Sequence, residues 1–254
     1  MATKGRDRFF ELADIYAHDL VALQDAKEFL QHKIYAAEYA REQVLMVLNR
    51  GVTTYDHMRD PKTGGPTGIS RITEDLKELV LLRIWLDLYL FELVGVEDAL
   101  YQAVNVAFNF GESPTDTHLD REIHDRVHQE LQSTLNMPAP GRDDTGLQAW
   151  LQPAQYGHAW LKDLRGIRNQ ATHRHLVKMR ERKPWEEKPV TAPLEPAKFR
   201  SEFYVDLEDG REEQLDFFVG LNVDRVKTLV NESCDRLAVI LSMLIEHHGG
   251  LRRS

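Results

Sequence analysis

Between Leu164 and His175 the chain gathers Arg165, Arg168, His173, Arg174 and His175, in a protein whose formal net charge is −9. Arginine stays charged at any physiological pH and can present two parallel N–H bonds to phosphate oxygens. Histidine titrates near neutrality, so it can accept a proton and hand it on. Asn169 directly follows Arg168, and His173 follows Asn169 after three intervening residues. A cation that holds an anion beside a group that moves protons is a minimal apparatus for chemistry at a phosphate ester. Lys178, Arg180, Arg182 and Lys183 extend the segment into a local basic patch, the kind of footprint nucleic acid needs. A structural account competes with this one. The helix dipole favours basic side chains in a last turn, and a histidine there can serve as a cap.

The Arg-Asn-x-x-x-His arrangement at Arg168, Asn169 and His173 resembles the motif of the HEPN superfamily, helical domains many of which are metal-independent endoribonucleases. The family pattern is an arginine and a histidine separated by four to six residues. Arg50 with His57, Arg121 with His128, and Arg168 with His175 meet it as well. Asn169, the position on a late helix and the basic surroundings favour Arg168 with His173. The resemblance implies an all-α, up-and-down helical bundle that forms homodimers with the motif helices facing each other. It also implies cleavage of RNA with no metal or cofactor. His173 would then move protons, Arg168 would stabilise the phosphate, and Asn169 would orient the scissile group or the imidazole. Arg165, Arg174, His175, Lys178, Arg180 and Arg182 would hold the RNA. Attack by the 2′-hydroxyl would leave a 2′,3′-cyclic phosphate and a 5′-hydroxyl. Family members act as toxins held by antitoxin proteins, in phage defence, or in RNA processing. The rival expectation is a non-catalytic helical bundle that binds a nucleotide or a protein partner.

Helical geometry adds a condition. At about 100° per residue, Arg168 lies near the apolar seam while Asn169 and His173 point away from it. His175 returns to the seam side. Either the helix tightens or ends near Thr172, or the site is completed at the outer face by a second subunit.

The elements that must position these residues read as helices. Leu12, Ile15, Tyr16, Leu20, Leu23 and Ala26 begin a three-and-four-residue repeat that continues to about Asn49, as one helix or two. Residues 51–69, rich in Gly and Pro, are expected to form a mobile loop. Ser70 can cap a helix to about Val94 that is apolar nearly all round, hence central in a bundle or sandwiched at a subunit interface. On it Arg83 and Asp87 stand one turn apart, as an internal ion pair or with Asp87 orienting a base or arginine of a neighbouring helix. Gly95 is expected to end this helix, and another follows over about 96–110. A fourth, over about 117–135, sets Asp120, His124 and His128 on one face. A solvated stripe suits them better than zinc, because the Glu of His-Glu-x-x-His is missing. The motif helix comes next, with Leu147, Trp150, Leu151, Ala154, Leu161, Leu164, Ile167 and Ala171 as its seam.

Beyond Val177, Arg180 to Pro196 reads as an irregular connection. Alternation over Phe199–Leu207 and Leu215–Leu221, around Asp209-Gly210, predicts one β-hairpin within 199–221. A final helix covers about 223–247, and no parallel sheet is expected. The whole reads as a single HEPN-like domain over 1–254, with a loop and hairpin at 179–221. The single cysteine, Cys234, suits a reducing compartment. The first residues lack the apolar core of a signal peptide, and Leu79–Val94 carries Arg83, Asp87 and Glu92, too many charges for a membrane span. A cytoplasmic location is the expectation.

Overall fold

The computed structural model describes residues 4–50, 53–59, 66–74, 76–111, 159–174, 177, 179–182, 199–200, 202–207 and 210–248, with 126, 129, 133 and 134. It is mostly helical, and its strands are antiparallel. In chain order the elements are α1 (Lys4–Tyr16), α2 (Leu20–Arg50), β1 (Thr53–Arg59), β2 (Pro66–Glu74) and α3 (Leu76–Ala107). Then come α4 (Ala159–Arg174), β3 (Met179–Arg182), β4 (Phe199–Arg200), β5 (Glu202–Asp206), β6 (Glu212–Gln214) and α5 (Leu215–His247). The chain divides into two compact units, one of residues 1–36, 92–162 and 223–254, the other of residues 37–91 and 163–222.

In the first unit Phe9, Phe10, Ala13 and Tyr16 of α1 are buried, as are Leu23, Leu30, Leu100, Leu237, Leu241 and Leu244. The first helical repeat is two helices. Asn109 holds the break: its side chain accepts the N–H of His18 at 2.6 Å and donates to the carbonyl of Tyr16 at 3.2 Å. Asp19 restarts the helix by accepting the N–H of Ala22 at 2.9 Å, an N-cap of about 1 kcal/mol.

Gly95 does not end a helix. It lies buried inside α3, where an added Cβ would come within 3.2 Å of the Lys33 side chain. A glycine inside a helix costs roughly 1 kcal/mol. Here it clears the path by which Lys33 Nζ reaches Glu92 Oε2 at 2.9 Å, both side chains nearly buried.

The second unit carries the strands. Residues 53–59 and 66–69 of the expected mobile loop, with 70–74 where the helix capped by Ser70 was expected to begin, pair antiparallel as β1 and β2, from Thr53 opposite Glu74 to Arg59 opposite Pro66. The Gly and Pro residues obscured the β-prone Thr53, Thr54, Tyr55, Ile69, Ile72 and Thr73 on either side. Among the described residues the strands form two three-stranded sheets, in the orders β2-β1-β4 and β3-β5-β6. Met179–Arg182, expected to be irregular, pairs with β5. The expected hairpin exists as β5 and β6, with Gly210 at φ +80° in its turn. Its second arm, however, stops at Gln214, and Leu215–Leu221 is helical. The buried residues there are Leu215, Phe218, Val219, Asn222, Val223 and Val226, a helical spacing, while Phe217 is 59% exposed. The alternation of apolar letters was the wrong period. Tyr89 of α3 secures this start of α5 by donating to the carbonyl of Val219 at 3.0 Å.

Candidate active site on the motif helix

α4 buries Leu161, Leu164 and Ile167, the described part of the expected seam. Asp163, on the same helix, accepts from Arg211 of the hairpin turn at 3.2 Å. Arg168 follows the buried Ile167 and is half-buried, as is Arg165, whereas Asn169 is exposed. Nη1 of Arg168 donates to Oδ1 of Asn169 at 3.3 Å, so the asparagine orients the guanidinium beside it. The backbone stays α-helical through Arg174, without tightening or ending near Thr172. Positions 168 and 173 are therefore about 140° apart around one helix. His173 and Arg174 are helical in backbone, and their side chains lie outside the described residues, as do His175 and Lys178 altogether.

Three residues past α4, the buried Val177 gives its backbone N–H to the carboxylate of Asp87 on α3. Burial pushes the Asp87 carboxyl above its ordinary 3.8, while the Val177 N–H and the charge of Arg83 pull it back. Asp87 thus holds the exit of the motif helix.

Arg180 and Arg182, neighbours on one face of β3, both turn to Glu212 on β6. Arg180 Nη1 lies 2.6 Å from Glu212 Oε1, and Arg182 Nη2 bonds Oε2 of the same carboxylate. The Arg182 guanidinium also stacks over Tyr204 of β5, 4.2 Å from the ring centroid. The carboxylate offsets much of the charge that the sequence offers here. Glu212 and Asp163 escaped the sequence reading. The Asp-Gly hairpin could have found Glu212, because it returns an acidic arm beside the strand that pairs with Arg180 and Arg182.

Among the described residues there is no group of three His, Cys, Asp or Glu side chains able to hold a metal ion. Asp120, His124 and His128 lie outside the described residues. No described helix is long and apolar enough to cross a membrane. Searches of protein-family models, curated proteins and solved structures find no match to this chain.

Proposed function

We propose that the chain is a metal-independent endoribonuclease of HEPN type, with Arg168, Asn169 and His173 as its working residues. The supporting observation is the Arg168–Asn169 hydrogen bond on a helix unbroken through Arg174. It fixes a guanidinium at a half-buried position, where a phosphate would meet fewer competing waters. The histidine, about 140° away around the helix, then acts on a phosphate held by the other copy of a homodimer. Arg168 neutralises the charge that develops on phosphate. His173 takes the proton of the 2′-hydroxyl or returns one to the departing 5′-oxygen. RNA is required because the nucleophile is its own 2′-hydroxyl. Arg165 and Arg174 are the nearest further phosphate contacts, with His175 and Lys178 beyond the helix. Cytoplasmic action as a toxin restrained by an antitoxin, or in phage defence, suits such an activity.

A second reading is a non-catalytic bundle that binds a nucleotide or protein. The engagement of Arg180 and Arg182 by Glu212 favours it, since those arginines already have an anion.

The test is incubation of the purified chain with single-stranded RNA in the presence of a chelator. We expect cleavage to 2′,3′-cyclic phosphate ends, resistance of a substrate with a 2′-deoxy sugar at the scissile position, and loss of cleavage in His173→Ala. Wild-type rates in His173→Ala, or activity lost to chelator and restored by zinc, would refute the assignment.

A further inference from the structure

Within the second unit α3 has two faces of unexpected likeness. One is core: Leu82, Leu86, Tyr89 and Leu90 are buried. The opposite arc carries Leu76, Val80, Ile84, Leu88 and Phe91, which are 64%, 55%, 53%, 37% and 56% exposed. Lys77 also lies on that arc, and Asp87 stands within it toward the Leu76 edge. A surface helix ordinarily turns polar residues outward. These five side chains expose on the order of 500 Å² of apolar surface, near the top of what a lone monomer usually shows. Tyr39 of α2, 55% exposed and edge-on to Trp85 at 5.8 Å between ring centroids, widens the patch. Together they approach the roughly 800 Å² that each partner contributes to a stable interface.

We propose that this face joins two copies of the chain, packed antiparallel along α3 about Ile84. The spacing supports a second copy rather than another partner, because a two-fold contact demands a surface that is its own complement. Leu76, Val80, Leu88 and Phe91 lie nearly symmetrically about Ile84. A two-fold axis there faces Ile84 with itself, Val80 with Leu88 of the other copy, and Leu76 with Phe91. The same rotation keeps the flank bearing Arg83 and Asp87 on one side in both copies. Arg83 of one copy then comes within a turn of Asp87 of the other, opposite charges at the rim of an apolar seam.

That flank is also where Asp87 takes the N–H of Val177, just past α4. Pairing along α3 therefore brings the exits of both motif helices to the same side of the dimer. This last step alone rests on the reading of Arg168 and His173 as a shared site. It supplies the second chain that their separation around α4 requires.

Sedimentation velocity and crosslinking of the full chain test the interface. We expect wild-type protein at twice the 29.4 kDa chain mass. Ile84→Glu, an exposed position that meets itself, should raise the dimer dissociation constant at least ~100-fold with an unchanged circular dichroism spectrum. Ile84→Cys should crosslink to itself with a short bismaleimide. Cys234 will not compete, since it is fully buried and burial pushes its thiol up to about 12. A monomer at 100-micromolar concentration (on the order of the upper limit for a weak dimer), a dimer indifferent to Ile84→Glu, or no crosslink at Ile84→Cys overturns the proposal. So does a different protein found seated on this face. A dimer with no ribonuclease activity keeps the interface and removes the catalytic reading; a dimeric ribonuclease indifferent to Ile84→Glu does the reverse.

Discussion

The second unit holds two concentrations of positive charge, and the structure treats them differently. On β3, Arg180 and Arg182 converge on one carboxylate, and Arg182 is stacked on Tyr204. On α4, the guanidinium of Arg168 is oriented by the neutral amide of its neighbour Asn169. In sequence the two look like one basic run from Arg165 to Lys183. The difference teaches that a count of cations does not measure a phosphate-binding surface. A strand pairing that brings Glu212 to β3 turns two of those cations into a clasp across the small sheet.

The sharpest way to break this comparison is to remove one arginine from each cluster. Arg168→Ala should lower the rate of RNA cleavage by at least about 100-fold, the scale of losing a group that stabilises transition-state charge. Arg182→Ala should change it less than about tenfold, because that guanidinium is already engaged by Glu212. Single-turnover kinetics on one labelled RNA compare them directly. Equal losses would mean that the two clusters act as one surface.

Glu212→Gln should act in the opposite direction. It releases both β3 arginines, so RNA binding should tighten and its dependence on log salt steepen by about 1 to 2. Stability should fall by no more than about 1 kcal/mol, because Arg180 is 62% exposed and such pairs contribute little in water. A salt titration of RNA affinity in the inactive His173→Ala background checks this. An unchanged slope would show that Glu212 does not hold the arginines back.

The smallest effect is expected at the joint between the clusters. Asp87 titrates above 3.8 in the folded chain, so just above that pH the folded state holds more protons than the unfolded one. The stability this group contributes is complete below 3.8 and falls as pH rises through the raised value. Asp87→Asn keeps an oxygen for the Val177 N–H and removes the buried charge. Melting temperatures followed from below pH 3.8 upward should therefore fall less, or rise more, with pH in Asp87→Asn than in wild type. Melting temperatures that fall more, or rise less, than wild type's would mean that the charge itself secures the exit of α4.

Local sequence determined much of this protein. The helical repeats of α1, α2, α4 and most of α3 and α5 are written in their apolar spacing. Asp209-Gly210 marks a turn that only a positive φ satisfies, and Gly210 adopts it. The motif's place on a helix followed from Leu161, Leu164 and Ile167, which are buried as their period requires. Tertiary structure decided the rest, because the deciding partners are distant in the chain. Gly95 continues a helix instead of ending it because the Lys33 side chain fills the space beside it on the way to Glu92. Leu215–Leu221 is helix rather than strand because Phe218 and Val219 are buried and Tyr89 bonds the Val219 carbonyl. The basic run is divided because Glu212 reaches Arg180 and Arg182 only once β5 pairs with both β3 and β6. Which apolar face of α3 is core and which stays in water is likewise invisible in a helix hydrophobic all round. Spacing says only that the helix has two faces to cover, and tertiary packing covers one of them.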